Sequence, residues 1–209
     1  MFFAFLNTIA LAIVSFPLVY LIVFPVIWAL HRAFSRELGM RRIVVFYGLG
    51  QCIWGALLLT NLPVPEFFDA FCSTRKLRSM VLLEPFKFAA PARYYFSELL
   101  RNGVVPGHFF FWQSFLNFLM LIPAGILFRI LKKRNFLIPM AVGFLSAMFL
   151  ELTQLTGIWG IAPCPYRTFD VDDIILNSSG FIAGWIGMSV LFFGWKILMR
   201  NRTGRPANR

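Results

Sequence analysis

Five long apolar stretches divide this chain, and its polar residues gather in the segments between them. The stretches cover about 8–30, 43–62, 109–128, 136–157 and 174–195. Each reaches the ~20 apolar residues that a helix needs to cross a bilayer. None alternates apolar and polar residues at every second position, as barrel strands do. The chain is therefore expected to be all-α, a single membrane domain over 1–209, with five transmembrane helices and one long outer loop at 63–108. Of Asp, Glu, Lys and Arg, the five stretches contain only Glu151, in the fourth.

Basic residues orient the bundle. Arg32, Arg36, Arg41 and Arg42 lie in the first connection, and Arg129, Lys132, Lys133 and Arg134 flank the third. Lys196, Arg200, Arg202, Arg205 and Arg209 follow the fifth stretch. Short loops rich in Lys and Arg stay cytoplasmic, which places the N-terminus outside and the C-terminus inside, in the plasma membrane. The same placement accounts for the net charge of +11. The excess sits beside anionic headgroups, and no basic soluble domain exists to bind nucleic acid. Hydrophobic residues make up 59% and charged ones 14%, with mean hydropathy +0.73, which excludes a soluble domain. The first stretch has neither a basic leader nor a small-residue cleavage site and reads as an anchor.

In the outer loop, Pro63 and Pro65 end the second stretch. Residues 66–80 mix Phe67, Phe68 and Phe71 with Arg75, Lys76 and Arg78, as an amphipathic surface segment does. Residues 94–100 suit a second short helix, closed by Asn102-Gly103 and Pro106-Gly107. Cys52 falls within the second stretch and reads as a small core residue. Cys72 and Cys164 both fall in outer loops, where the compartment is oxidising, so a bridge and two free thiols are both open to them. His31 and His108 lie on opposite sides of the membrane, which excludes a zinc site.

Polar side chains converge near the outer surface. Glu151 and Gln154 are three apart and share a face with Gly143 and Ala147. Asp173, Asn177, Gly180, Gly184 and Gly187 form a stripe on the fifth helix, polar at its outer end and small below. Gln113 and Asn117 approach from the third. Arg167 and Asp170 lie above this level. Such a network can simply specify helix packing, or it can line a pocket open to the outer leaflet. The acids Glu151, Asp170, Asp172 and Asp173 outnumber the single local Arg167, which favours the pocket.

These residues resemble the VanZ-like family. The matching motifs are Asn117-Phe-Leu-Met-Leu-Ile-Pro123-Ala-Gly125, Glu151-x-x-Gln154, and Arg167-x-Phe-Asp170-x-Asp172-Asp173-x-x-x-Asn177-x-x-Gly180. They cover about the C-terminal half of the chain. The outer loop departs from the family at Leu82-Leu83-Glu84-Pro85-Phe86, where an Asn-Leu-Ile-Pro-Phe-like segment is common. The resemblance implies a multi-pass plasma-membrane protein of the cell envelope. The founding member decreases susceptibility to teicoplanin-type glycopeptide antibiotics, and the resemblance implies no known reaction, the family's biochemical activity being largely unassigned.

Three functional readings follow. In the first, a pocket between the third, fourth and fifth spans binds an amphiphile, such as a lipoglycopeptide or a lipid-linked envelope precursor, without cofactor or catalysis. Arg167 would hold an anionic headgroup, and Asn117 and Gln154 would fix its orientation, in a cluster that also includes Glu151, Asp170, Asp173 and Asn177. In the second, Asp170, Asp172 and Asp173 hold Mg²⁺ at the phosphate of a lipid-linked substrate, and Glu151 serves as general acid or base. The third is a structural membrane subunit. In all three the immediate partners are membrane lipids.

Overall fold

The computed structural model describes residues 2–33, 39–62, 64–65, 67–74, 77–103, 109–131 and 135–203. Arg36, the Lys132–Arg134 loop, the tail beyond 203, and Pro106, Gly107 and His108 lie outside them, as do Glu66, Arg75 and Lys76 of the expected amphipathic segment. The long helices are α1 (Phe2–Ala33), α2 (Met40–Asn61), the pair α5 (Phe109–Met120) and α6 (Ile122–Leu131), α7 (Leu137–Leu155) and α9 (Val171–Thr203). Five of the helices are long and apolar enough to cross a membrane, with α5 and α6 counted as one. The outer loop contributes α3 (Phe68–Thr74), a 3₁₀ turn, strand β1 (Val81–Leu82) and α4 (Ala89–Asn102). A four-residue turn, α8 (Gly157–Gly160), and strand β2 (Phe169–Asp170) join α7 to α9.

The third span is broken at Leu121, between α5 and α6. Pro123 is the cause: it lacks the N–H that would bond the carbonyl of Leu119, and its ring pushes that carbonyl aside. The fifth helix begins at Val171, earlier than the apolar run suggests, so Asp172 and Asp173 belong to its first turn. The second outer-loop helix is also longer than its apolar core, at 14 residues.

Helix α9 is the centre of the bundle and packs on α5, α6 and α7. The approach is backbone to backbone. A Cβ on Gly180 would sit 1.8 Å from the Phe118 carbonyl oxygen, and one on Gly184 2.2 Å from that of Ile122. Gly125 reciprocates, 1.9 Å from the Phe181 carbonyl. Between helices in lipid, small residues are what permit such contact. The stripe ends there, since Gly187 is exposed with nothing within 4 Å of an added Cβ. Phe181, 2% exposed, fills the space opened by Gly143 on α7 and belongs to the core with Ala56, Leu121, Ala124 and Leu150.

Helix α2 packs on α6 and α7, and α1 packs on α2. Gln51 Nε2 donates to the Ala12 carbonyl at 3.0 Å, and Trp54 Nε1 to Ser15 Oγ at 2.8 Å. Both bonds satisfy polar groups that lipid could not. The outer segments are fastened to each other. Parallel pairing sets Val81 beside Phe169 and Leu82 beside Asp170, and a disulfide joins Cys72 to Cys164.

Candidate functional site

Seven residues were expected to converge, and the structure sorts six of them into two neighbouring groups, with Asn177 set apart below the second. The first group closes the end of α2. A helix ends in carbonyls with no intrahelical partner, and they carry partial negative charge. Here Gln154 Nε2 donates to the Thr60 carbonyl at 2.9 Å and the Tyr166 hydroxyl to that of Asn61 at 3.0 Å. Arg167 Nη2 donates to the Leu62 carbonyl at 2.6 Å. Burial pulls the Arg167 guanidinium below its usual range, and the neighbouring Tyr166 acts in the opposite sense. Burial pushes the Tyr166 hydroxyl upward. Gln154 and Arg167 thus have a structural duty of their own, and Tyr166, Thr60 and Asn61 join them. Tyr166 was legible only as the aromatic neighbour of Arg167.

The second group surrounds the start of α9. Asp170 is its N-cap, with Oδ1 accepting the Asp172 N–H at 2.9 Å. Glu151 on α7 is 1% exposed, and its Oε2 accepts the Asp170 N–H at 2.9 Å. Asp173 Oδ1 accepts a hydrogen bond from Asn117 Nδ2 across the α5–α9 contact. The electrostatic neighbours of Glu151 are Asp173 and Asp170, both of its own sign. The positive end of the α9 dipole partly offsets this crowding. Asp170, outside the span, has its pKa raised by burial. The Asp172 N–H and Lys87 pull it down, and the Asp172 charge pushes it further up.

Asp172 does something the sequence did not suggest. Its two oxygens accept the backbone N–H groups of Phe86 (2.6 Å) and Phe88 (3.0 Å), holding the outer loop over the bundle. Phe86 sits at φ 67°, a conformation that a residue with a Cβ adopts only when held. Both Asp172 oxygens are thereby engaged. Among the described residues, no three His, Cys, Asp or Glu side chains converge to hold a metal ion. The Mg²⁺ arrangement weighed from the sequence would have to displace the Phe86 and Phe88 amides from Asp172.

Among the described residues, some buried polar atoms have no partner. Asn177, one turn below Asp173 and fully buried, has neither amide atom hydrogen-bonded. Gln154 Oε1 and Asn61 Oδ1 are buried without a donor. Gln113, expected beside Asn117, is exposed instead.

Two recesses flank these groups. An apolar slot of ≈ 410 Å³ lies between α2, the α5–α6 junction and α7, walled by Ile53, Ala56, Leu121, Val142, Ser146 and Leu150. It is on the α2 side of α7, where the sequence suggested a pocket towards the fifth span. The other, ≈ 520 Å³, lies against α4 in the long loop. Neither is lined by Asn117, Glu151, Asp170 or Asp173. Ile53 and Ser146 were not legible as site residues, because nothing distinguishes a slot wall from any lipid-facing position.

No curated protein and no solved structure matches the chain. The VanZ/LLP1 family model matches residues 49–193, from within α2 through most of α9, and includes both groups and the slot. This chain is an integral membrane protein of the VanZ/LLP1 family.

Proposed function

We propose that the protein is a non-enzymatic receptor for an amphiphile of the outer leaflet of the plasma membrane. The acyl portion lies in the slot between α2, the α5–α6 junction and α7, and the headgroup sits at the polar level above it. A lipoglycopeptide or a lipid-linked envelope precursor has the required form, and family membership connects such a role with glycopeptide resistance. One observation carries the reading. The slot wall at Leu150 and Ala56 lies one helical turn, about 6 Å, below Gln154 and Thr60. At that level Gln154 Oε1 is buried and, among the described residues, has no donor. An apolar slot with a hydrogen-bonding level one turn above it suits an acyl chain that carries a hydrogen-bonding head. Glu151, next to Leu150 in sequence, is turned about 100° round α7 towards the Asp170 amide, so it would act on the head through the polar level above the slot and not from the slot wall.

The reading places the slot's polar end outside, with the N-terminus out and the C-terminus in. Reporter fusions after residues 36 and 133 should then read cytoplasmic, and those within 80–105 external. For the ligand itself, Glu151→Gln and Asp173→Asn retain shape and hydrogen bonding but remove charge. Both should weaken binding of a teicoplanin-type probe to the purified protein while thermal stability stays near that of the parent. Unchanged binding in both variants, with folding intact, would leave the carboxylates a purely structural role.

A further inference from the structure

We propose that the outer face of α4 is a headgroup site for an acidic phospholipid, in which the Arg93 guanidinium holds the phosphodiester. The inference is independent of the slot. Helix α4 is fixed at the membrane surface from both ends. Its start is held by the bonds from Phe86 and Phe88 to Asp172 at the head of α9. Its end closes at Gly103 (φ 64°), a few residues before α5 enters the membrane at Phe109. With 14 residues it spans about 21 Å, and charged residues on it preclude crossing, so it lies along the interface.

One side of α4 faces protein: Tyr95 is buried and stacks on Phe111 with ring centroids 3.8 Å apart. The opposite arc carries Arg93, Ser97 and Leu100, all exposed, and Phe96 lies at its margin, edge-on to Phe111 but exposed over its outer side. Leu100 is 87% exposed and Phe96 54%. Large apolar side chains in that position are satisfied by hydrocarbon, so a water-soluble anion alone does not account for the arc. Beside them the ≈ 520 Å³ recess is walled by Phe86, Arg93, Tyr94 and Ser97 and floored by Ala89 and Ala90.

The charge balance of the arc favours an anion. Among the described residues Arg93 has no hydrogen-bond or ion-pair partner. The nearby acids are otherwise engaged: Glu84 pairs with Lys87 at 2.9 Å, and Glu98 accepts from Asn102 at 2.8 Å. A guanidinium presents a planar fork that matches two phosphate oxygens. A basic group at a recess, flanked by exposed Phe96 and Leu100, fits a ligand with one negative phosphodiester and acyl chains beneath it.

The test uses the full purified chain in mixed micelles with phosphatidylglycerol or phosphatidylcholine, reading lipid retained per protein by native mass spectrometry. The parent should retain phosphatidylglycerol about fivefold better than phosphatidylcholine, and Arg93→Gln should remove that preference. Arg93→Lys, which keeps the charge but not the fork, should fall between. Because Arg93 is exposed and bonds nothing in the fold, melting temperatures should match. Equal retention of the two lipids by the parent, or an undiminished preference in Arg93→Gln, would overturn the proposal. So would complete displacement of the lipid by millimolar inorganic phosphate, which would indicate a site for free anions.

Discussion

The Asp172 carboxylate, at the head of the last helix, accepts the backbone N–H of Phe86 at 2.6 Å and holds that residue at φ 67°. A contact across 86 residues of chain thus fixes where the outer loop rests. Replacing Asp172 by Asn leaves one oxygen to accept and turns an NH₂ towards an N–H. Such a change at a buried charge-assisted bond costs about 1–3 kcal/mol. Asp172→Asn should therefore lower the melting temperature and raise amide exchange in α4. Since both oxygens are engaged within the chain, added Mg²⁺ or a chelator should not move the parent's melting temperature. A Mg²⁺-dependent rise would return Asp172 to the role of cation ligand.

The glycine stripe of α9 makes a graded prediction. Gly180→Ala and Gly184→Ala place a methyl group against the Phe118 and Ile122 carbonyls, so helices must separate. A loss of about 2 kcal/mol or more is expected for each. Gly187→Ala meets nothing within 4 Å and should be neutral or stabilising by up to about 1 kcal/mol, from helix propensity. Thermal unfolding in detergent of the three single variants checks this. Equal effects at all three positions would contradict the packing.

A pH dependence follows from Asp170. Its folded-state pKa is raised, with burial the chief cause, so folding favours its protonated form. The sign is then clear. Its unfavourable contribution is complete above the folded pKa, shrinks as pH falls through it, and vanishes below the ordinary carboxylate value. Asp170→Asn should consequently be more stable than the parent near neutrality, and the two should converge as the solution is acidified. Melting temperatures measured across that range give the test. A difference that grows on acidification would reverse the assignment.

The five spans, the Asp173–Asn177–Gly180–Gly184 stripe and the Gly143–Ala147–Glu151 face are legible in sequence because helical spacing alone brings those residues onto one side. The duties of Gln154 and Arg167 are not. Each donates to a backbone carbonyl, 94 and 105 residues away, and a carbonyl acceptor has no side-chain signature. The excess of acids was legible, but its reason was partly misplaced. Asp170 caps α9 and Asp172 holds the loop, so of the four acids only the buried Glu151 and the half-buried Asp173 remain, tied to the Asp170 amide and to Asn117. The slot was hidden for a different reason: it is formed by the break at Leu121 and by what Ala56 and Ser146 leave empty.

Binding of an acylated ligand in that slot is the central claim, and occupying the slot from within tests it most directly. Ser146 lines the slot and is half-buried, so Ser146→Phe fills the space at little cost to the core. Saturable binding of a teicoplanin-type lipoglycopeptide, and of its deacylated counterpart, can be measured on the purified parent and on this variant by intrinsic tryptophan fluorescence. The account predicts that the parent binds the acylated probe at least about tenfold tighter than the deacylated one, as burying even two methylenes would require. It predicts that Ser146→Phe abolishes the difference while its melting temperature stays near the parent's. Equal affinity of the parent for both probes, or an undiminished preference in Ser146→Phe, would contradict it.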